Sequence, residues 1–83
     1  MNKLIIINYI KKLSKDDIIK YAKNNSIPLT DDEVQVIYYY IKNRYNDFFE
    51  GHELELLEEI KYKVKAATYN KIVELYLKYK DKL

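Results

Sequence analysis

The chain has no cysteine and no tryptophan, one glycine (Gly51), one proline (Pro28), one histidine (His52) and one arginine (Arg44). Without cysteine no disulfide can close a loop, so 83 residues must be held together by packing alone. The same absence fits a reducing compartment such as the cytoplasm. One glycine and one proline are too few for the turns of an all-β fold, and disordered segments are usually richer in both. With Gly51 alone, no glycine-rich loop can cradle a phosphate. Long apolar runs are missing too. Leu4-Ile-Ile-Ile7 is too short for a signal-peptide core or a membrane span, and Asn8 and Lys11 interrupt its continuation. These absences predict one helical domain over 1–83, in the cytoplasm and away from the membrane.

Catalytic chemistry is equally scarce. With one histidine and no cysteine, neither a thiol–imidazole pair nor a standard zinc set can form. Asp47, Glu50, His52 and Glu53 lie close in sequence, but their spacing matches no calcium or zinc loop, and they read as a solvated helix start. Asp31-Asp32 and Glu58-Glu59 read as charge that solvates a surface or complements a helix dipole. No enzyme, metal or cofactor is expected.

What the chain does have is lysine, isoleucine, asparagine and ten tyrosines. An AT-rich coding sequence is the simplest account of that mixture. The net charge is only +2, yet it is unevenly placed. Residues 1–30 carry six lysines and two aspartates. Residues 47–60 carry six acids and no lysine or arginine, and residues 61–83 carry seven lysines and two acids. Basic ends therefore flank an acidic middle.

Residues 30–49 are the organising stretch. Thr30 and Glu33 form a capping box, Leu29 and Val34 a hydrophobic staple, and Asp31, Asp32 and Glu33 suit the positive end of a helix dipole. Pro28 keeps an earlier helix from running through. At helical spacing Val34, Ile37, Tyr38, Ile41, Tyr45 and Phe48 share one face, the expected core side. The opposite side carries Val36, Tyr39, Tyr40 and Asn43. A helix apolar on two sides is either sandwiched between other helices or exposes a binding face. Val36, Tyr39, Tyr40 and Asn43 are thus the candidate interaction surface.

Before this helix, residues 2–12 read as a short helix burying Ile6, Ile10 and Leu13. Ser14 with Asp17 caps a second helix, one face of which is lined by Ile18, Tyr21 and Ala22 with Ile19 on its shoulder, and Asn24-Asn25-Ser26 stops it, with asparagine suited to the left-handed position. Residues 14–45 thus read as helix, extended loop, helix. The central helix ends near Asn43 or continues to Phe49. Residues 52–65 form a further helix with Leu57, Ile60 and Val64 as its apolar stripe and Leu54 and Leu56 flanking it. Thr68 is placed to cap a last helix over 68–81, with Tyr69, Ile72, Leu75, Tyr76 and Tyr79 on one face; fusion of the last two helices into one rod is the alternative. The fold class is an all-α bundle of four to five short helices.

Ile18-Ile-Lys-Tyr-Ala-Lys23, followed by Ile27-Pro-Leu-Thr30 with an acid three residues later, resembles a family of short uncharacterised all-helical proteins of Gram-positive bacteria, classed as a domain of unknown function. Phe49 in a connection and Leu75-Tyr76 near the end match the same pattern, so the likeness covers nearly the whole chain. The chain departs from it in having Asn43-Arg44 where a Gly-Lys turn is expected, and Ala66-Ala67 where a Gly-Pro break is expected. The resemblance implies a small helical cytoplasmic protein and carries over no catalytic or ligand-binding residue.

Two function classes remain. One is a protein-interaction or regulatory module, self-association included, acting through the Val36, Tyr39, Tyr40 and Asn43 face. The other is nucleic-acid binding, with Lys11, Lys12, Lys15, Lys20 and Lys23 on phosphates. The acidic turn at 31–33, the lone arginine and the low net charge weigh against the second.

Overall fold

The computed structural model describes residues 3–80, apart from the side chain of Tyr79. Asn2 and Asp81, which the sequence reading placed in the first and last helices, lie outside the described residues, as does the Tyr79 side chain. Among the described residues there are six helices and no strand: α1 (Lys3–Lys12), α2 (Lys15–Asn24), α3 (Asp31–Asn43), α4 (Tyr45–Phe49), α5 (Glu53–Lys61) and α6 (Ala66–Tyr79). The expected all-α bundle is present, with six helices rather than four or five.

Both capping boxes form. The Asp17 N–H donates to Ser14 Oγ at 3.1 Å, and the Ser14 N–H donates to Asp17 Oδ2 at 2.9 Å. The Glu33 N–H donates to Thr30 Oγ1 at 3.2 Å, and the Thr30 N–H donates to Glu33 Oε1 at 3.0 Å. Each box satisfies two helix-terminal donors and fixes where its helix begins.

The stop of α2 differs from the expectation. The left-handed residue is Ser26 (φ 57°), not an asparagine. The Ile27 N–H donates to Ala22 O at 2.8 Å and the Ser26 N–H to Lys23 O at 3.4 Å, the paired bonds of a Schellman turn. Asn25 keeps a negative φ (−112°) and uses its side-chain amide instead, donating to Tyr21 O at 2.8 Å. A side chain at a left-handed position is strained, whereas glycine is not. Ser26→Gly is therefore expected to stabilise the fold by about 0.5–1 kcal/mol, read as a Tm rise of about 3–6 °C in thermal unfolding.

α3 lies at the centre. α2 packs against it, with Ile18 and Ala22 buried on α2 and Val34 buried on α3. On its other side Tyr40 forms a core cluster with Leu56 and Ile60 of α5, joined by Val36, Phe48, Tyr69 and Ile72. This sandwich accounts for Val36 and Tyr40 on the second apolar face of the helix. α1 contacts α3 as well, and its last carbonyls at Ile10 and Lys11 accept from Lys42 Nζ at 2.9 and 2.8 Å. A cation from α3 thus closes the C-terminus of α1, as the helix dipole favours.

The helix breaks at Arg44 (φ −124°, ψ 13°), so the stripe expected from Val34 to Phe48 ends at Ile41, and Tyr45 and Phe48 belong to α4. Gly51 (φ +90°) turns the chain into α5. α5 ends at Lys61 rather than at 65, and Lys65 is extended (ψ 160°), so α5 and α6 are separate helices.

Candidate functional site

The face anticipated on α3 divides. Tyr40 is 5% exposed and Val36 half-buried, while Tyr39 is 54% exposed and Asn43 is exposed. Successive helical residues point about 100° apart, so Tyr39 and Tyr40 cannot share one surroundings. Tyr40 belongs to the core, and the expectation that it forms part of an interaction surface is corrected. Its ring meets Tyr39 edge-on at 5.4 Å, and its hydroxyl donates to Glu59 Oε1 at 3.2 Å. Burial, then that hydrogen bond, pushes the Tyr40 phenol pKa up. Asn43 is occupied locally, donating from Nδ2 to Tyr39 O at 3.0 Å.

Two polar clusters that the sequence did not reveal lock the bundle. In the first, Glu33 is buried, and its carboxylate serves two helices. Besides the Thr30 N–H, it accepts from the Lys65 N–H at 2.7 Å, from Lys65 Nζ at 2.5 Å and from the Thr68 hydroxyl at 3.1 Å. Thr68 is wholly buried, and Lys65 Nζ also donates to Pro28 O. Burial alone would raise the Glu33 pKa. The Lys65 ammonium, the backbone donors and Thr68 outweigh it and hold the pKa at about 2. The N-terminus of α6 is therefore capped from α3. This corrects the start expected at Thr68, whose hydroxyl faces Glu33 instead of capping its own helix.

In the second cluster Arg44, the only arginine, forks onto Glu59 at 3.0 and 2.9 Å while its Nε meets Asp47 Oδ2 at 2.5 Å. The guanidinium also lies 5.7 Å from the centre of the Tyr40 ring. Hydrogen bonds to Glu59 and Asp47 push the Arg44 pKa further up, and Arg44 in turn lowers that of Glu59. Bidentate geometry fixes direction as well as distance, so this residue ties the α3–α4 break to α5.

The five candidate phosphate-binding lysines, Lys11, Lys12, Lys15, Lys20 and Lys23, are all exposed. Lys15 is partly engaged, donating to Gln35 Oε1 at 3.3 Å and lying 5.4 Å from the Tyr38 ring centre. Asp16 and Asp17 sit among these lysines on α2 and break up the positive field. His52 Nδ1 is 3.8 Å from Glu55 Oε2, and no group of three or more metal-ligating side chains converges among the described residues.

The exposed apolar surface lies elsewhere. α1 buries no residue fully and leaves Leu4 (69%), Ile5 (63%) and Tyr9 (65%) open. Beside it, an almost wholly apolar cavity of about 260 Å³ opens between α1, α2, α3 and α6, with Tyr9, Ile18, Tyr21, Ile37, Ile72 and Leu75 in its wall. A second cavity of about 280 Å³ runs under α1, against Ile6, Ile10, Tyr40 and Phe48. α5 exposes Leu54 (69%), with Tyr62 (78%) just past its end, beside Glu55 and Glu58. A sequence signal for the α1 surface existed. The run Leu4–Ile7 covers more of a helix than one buried face can use.

No helix among the described residues is long and apolar enough to cross a membrane. Neither a curated protein nor a solved structure matches the chain. A family model described as a protein of unknown function (DUF2624) matches residues 1–80. With nearly its whole length matched, the chain belongs to the DUF2624 family.

Proposed function

We propose that this protein is a cytoplasmic protein-interaction module, without catalytic activity, whose contact surface is the outer side of α1. The observation that carries this reading is the exposure of Leu4, Ile5 and Tyr9 on one short helix next to an open apolar cavity. Single exposed apolar residues are ordinary, whereas a group beside a cavity is characteristic of a contact surface. Lys11 and Lys12, exposed on the same helix, set the chemistry of the partner. It is a polypeptide that presents an amphipathic helix with acidic residues flanking its apolar side. Tyr9 adds a large, stiff ring of the kind that dominates contact energies. Nucleic acid is not the partner in this reading, because acids interleave the lysines of α2 and the single arginine is committed to Glu59 and Asp47.

The test is in-cell photo-crosslinking with a crosslinking residue at position 5 or 9, and at position 32 as a control. Positions 5 and 9 are expected to yield a discrete protein adduct and position 32 none. Ile5→Ser with Tyr9→Ser should abolish the adduct formed from a crosslinker at position 4. The combined stability loss of that pair should stay at about 1 kcal/mol, since both residues are largely solvent-exposed. Absence of any adduct from positions 5 and 9 defeats the reading.

A further inference from the structure

Within one chain there are two outward helix faces, apolar in the middle and opposite in charge. On α1, Ile5 and Tyr9 are four residues apart, with Leu4 alongside, and the helix carries Lys3, Lys11 and Lys12 but no acid. On α5 and the turn after it, Leu54, Glu58 and Tyr62 recur every four residues and so lie along one outward line, with exposed Glu55 beside them and one base, exposed Lys61, at its C-terminal end. The line is partly ordered, because the Tyr62 hydroxyl donates to Glu58 Oε1 at 3.2 Å. α1 packs on α3, while α5 packs on α4 and α6, and both outward faces stay exposed.

We propose that the partner of α1 is a second copy of this chain, which presents the Leu54–Glu58–Tyr62 face of its α5. The inference rests on the reading of α1 as a contact surface and specifies its occupant. Lys11 and Lys12 of one copy face Glu55 and Glu58 of the next, while Ile5 and Tyr9 cover Leu54 and Tyr62. α5 has the chemistry that α1 requires: an amphipathic helix, acidic beside its apolar line. Two α1 faces brought together would instead oppose lysine to lysine. The contact therefore joins unlike faces, which two copies satisfy either twice over in a closed two-fold dimer or once each in a head-to-tail assembly. One helix laid against another buries less than the roughly 1,200 Å² per contact typical of stable complexes. The association is accordingly weak, dependent on concentration and weakened by salt.

Sedimentation velocity on the full chain across a concentration series, at low and high salt, tests this with two charge-reversed variants. The first carries Lys11→Glu and Lys12→Glu, and the second Glu55→Lys and Glu58→Lys. The wild-type mean mass is expected to rise with concentration at low salt and to fall back toward the monomer in about 0.5 M salt. Each variant alone should remain monomeric, while an equimolar mixture should associate, because each variant's unaltered face now meets an opposite charge on both sides. A third variant, Leu54→Ser with Tyr62→Ser, should weaken wild-type association without changing net charge. A wild-type chain that stays monomeric throughout the series overturns the proposal. So does self-association that survives the α5 reversal, which would mean that the contact does not use the α5 acids. Circular dichroism on each variant separates loss of contact from loss of fold. A crosslinked adduct of two chain masses at position 5 supports the inference. An adduct with a different protein, in a chain that is monomeric by sedimentation, removes it and leaves the α1 reading standing; no adduct at all removes both.

Discussion

Tyr40→Ala is expected to cost about 3–5 kcal/mol of folding stability, while Tyr39→Ala, one residue earlier, costs less than about 1 kcal/mol. The difference follows from direction. The Tyr40 ring is 5% exposed and fills the space between α3 and α5 against Leu56 and Ile60, whereas Tyr39 is 54% exposed. Truncation at Tyr40 removes a large apolar surface and leaves a cavity that the surrounding helices can only partly refill. It also removes one hydroxyl donor from Glu59. Tyr40→Phe keeps the ring and isolates that hydrogen bond, with an expected loss of about 1 kcal/mol. For a domain of this size, whose whole stability is about 4–12 kcal/mol, Tyr40→Ala leaves the chain at the margin of folding. Urea unfolding of the three variants checks the set. Equal losses from Tyr39→Ala and Tyr40→Ala would contradict the burial that divides the two rings.

Glu33→Ala is the second large loss, expected at about 3–4 kcal/mol. The Lys65 N–H loses its only acceptor among the described hydrogen bonds, the Thr30 N–H loses its half of the capping box, and the wholly buried Thr68 hydroxyl retains only Pro28 O at 3.3 Å. Lys65, 43% exposed at its side chain, can return to water and limits the damage. Glu33→Gln keeps the shape but removes the charge and one acceptor, and costs about 2 kcal/mol at neutral pH.

The two Glu33 variants also differ from the wild type in acid. Glu33 has a folded-state pKa of about 2 against an ordinary value of 4.5. A depressed carboxyl adds stability above the ordinary value and loses it as the pH falls toward the folded one. The wild type should therefore weaken progressively between about pH 4.5 and pH 2. Glu33→Gln should show a shallower decline over that interval. It should not be flat, because Ser14 holds Asp17 low and Arg44 holds Glu59 low, and both lose stability in the same direction. Denaturant midpoints measured from pH 7 to pH 2 give the comparison. Parallel acid limbs for wild type and Glu33→Gln would mean that Glu33 is not the buried anion described above.

The sequence by itself determined the elements governed by local chemistry. A capping box needs only residues three apart, so the starts of α2 and α3 at Ser14 and Thr30 were legible, as was the extended segment through Pro28. The all-α class followed from apolar spacing and the shortage of glycine and proline. The two-sided apolar pattern of α3 was legible too, but its meaning was not. Tyr39 and Tyr40 are chemically identical, and only the position of α5 makes one of them core. The end of the central helix was ambiguous because nothing local stops it as strongly as a glycine would. The break at Arg44 coincides with the fork of its side chain onto Glu59, fifteen residues away. The start of α6 was misplaced at Thr68 for the same kind of reason. Its cap is Glu33, thirty-two residues earlier in the chain than Lys65, and no window along the sequence contains both. Helix type and helix starts were thus fixed by interactions between near neighbours. Which tyrosine is buried, where α3 and α6 are bounded, and which apolar residues of α1 and α5 are left in the open were decided by contacts between distant segments, which exist only once the helices have packed.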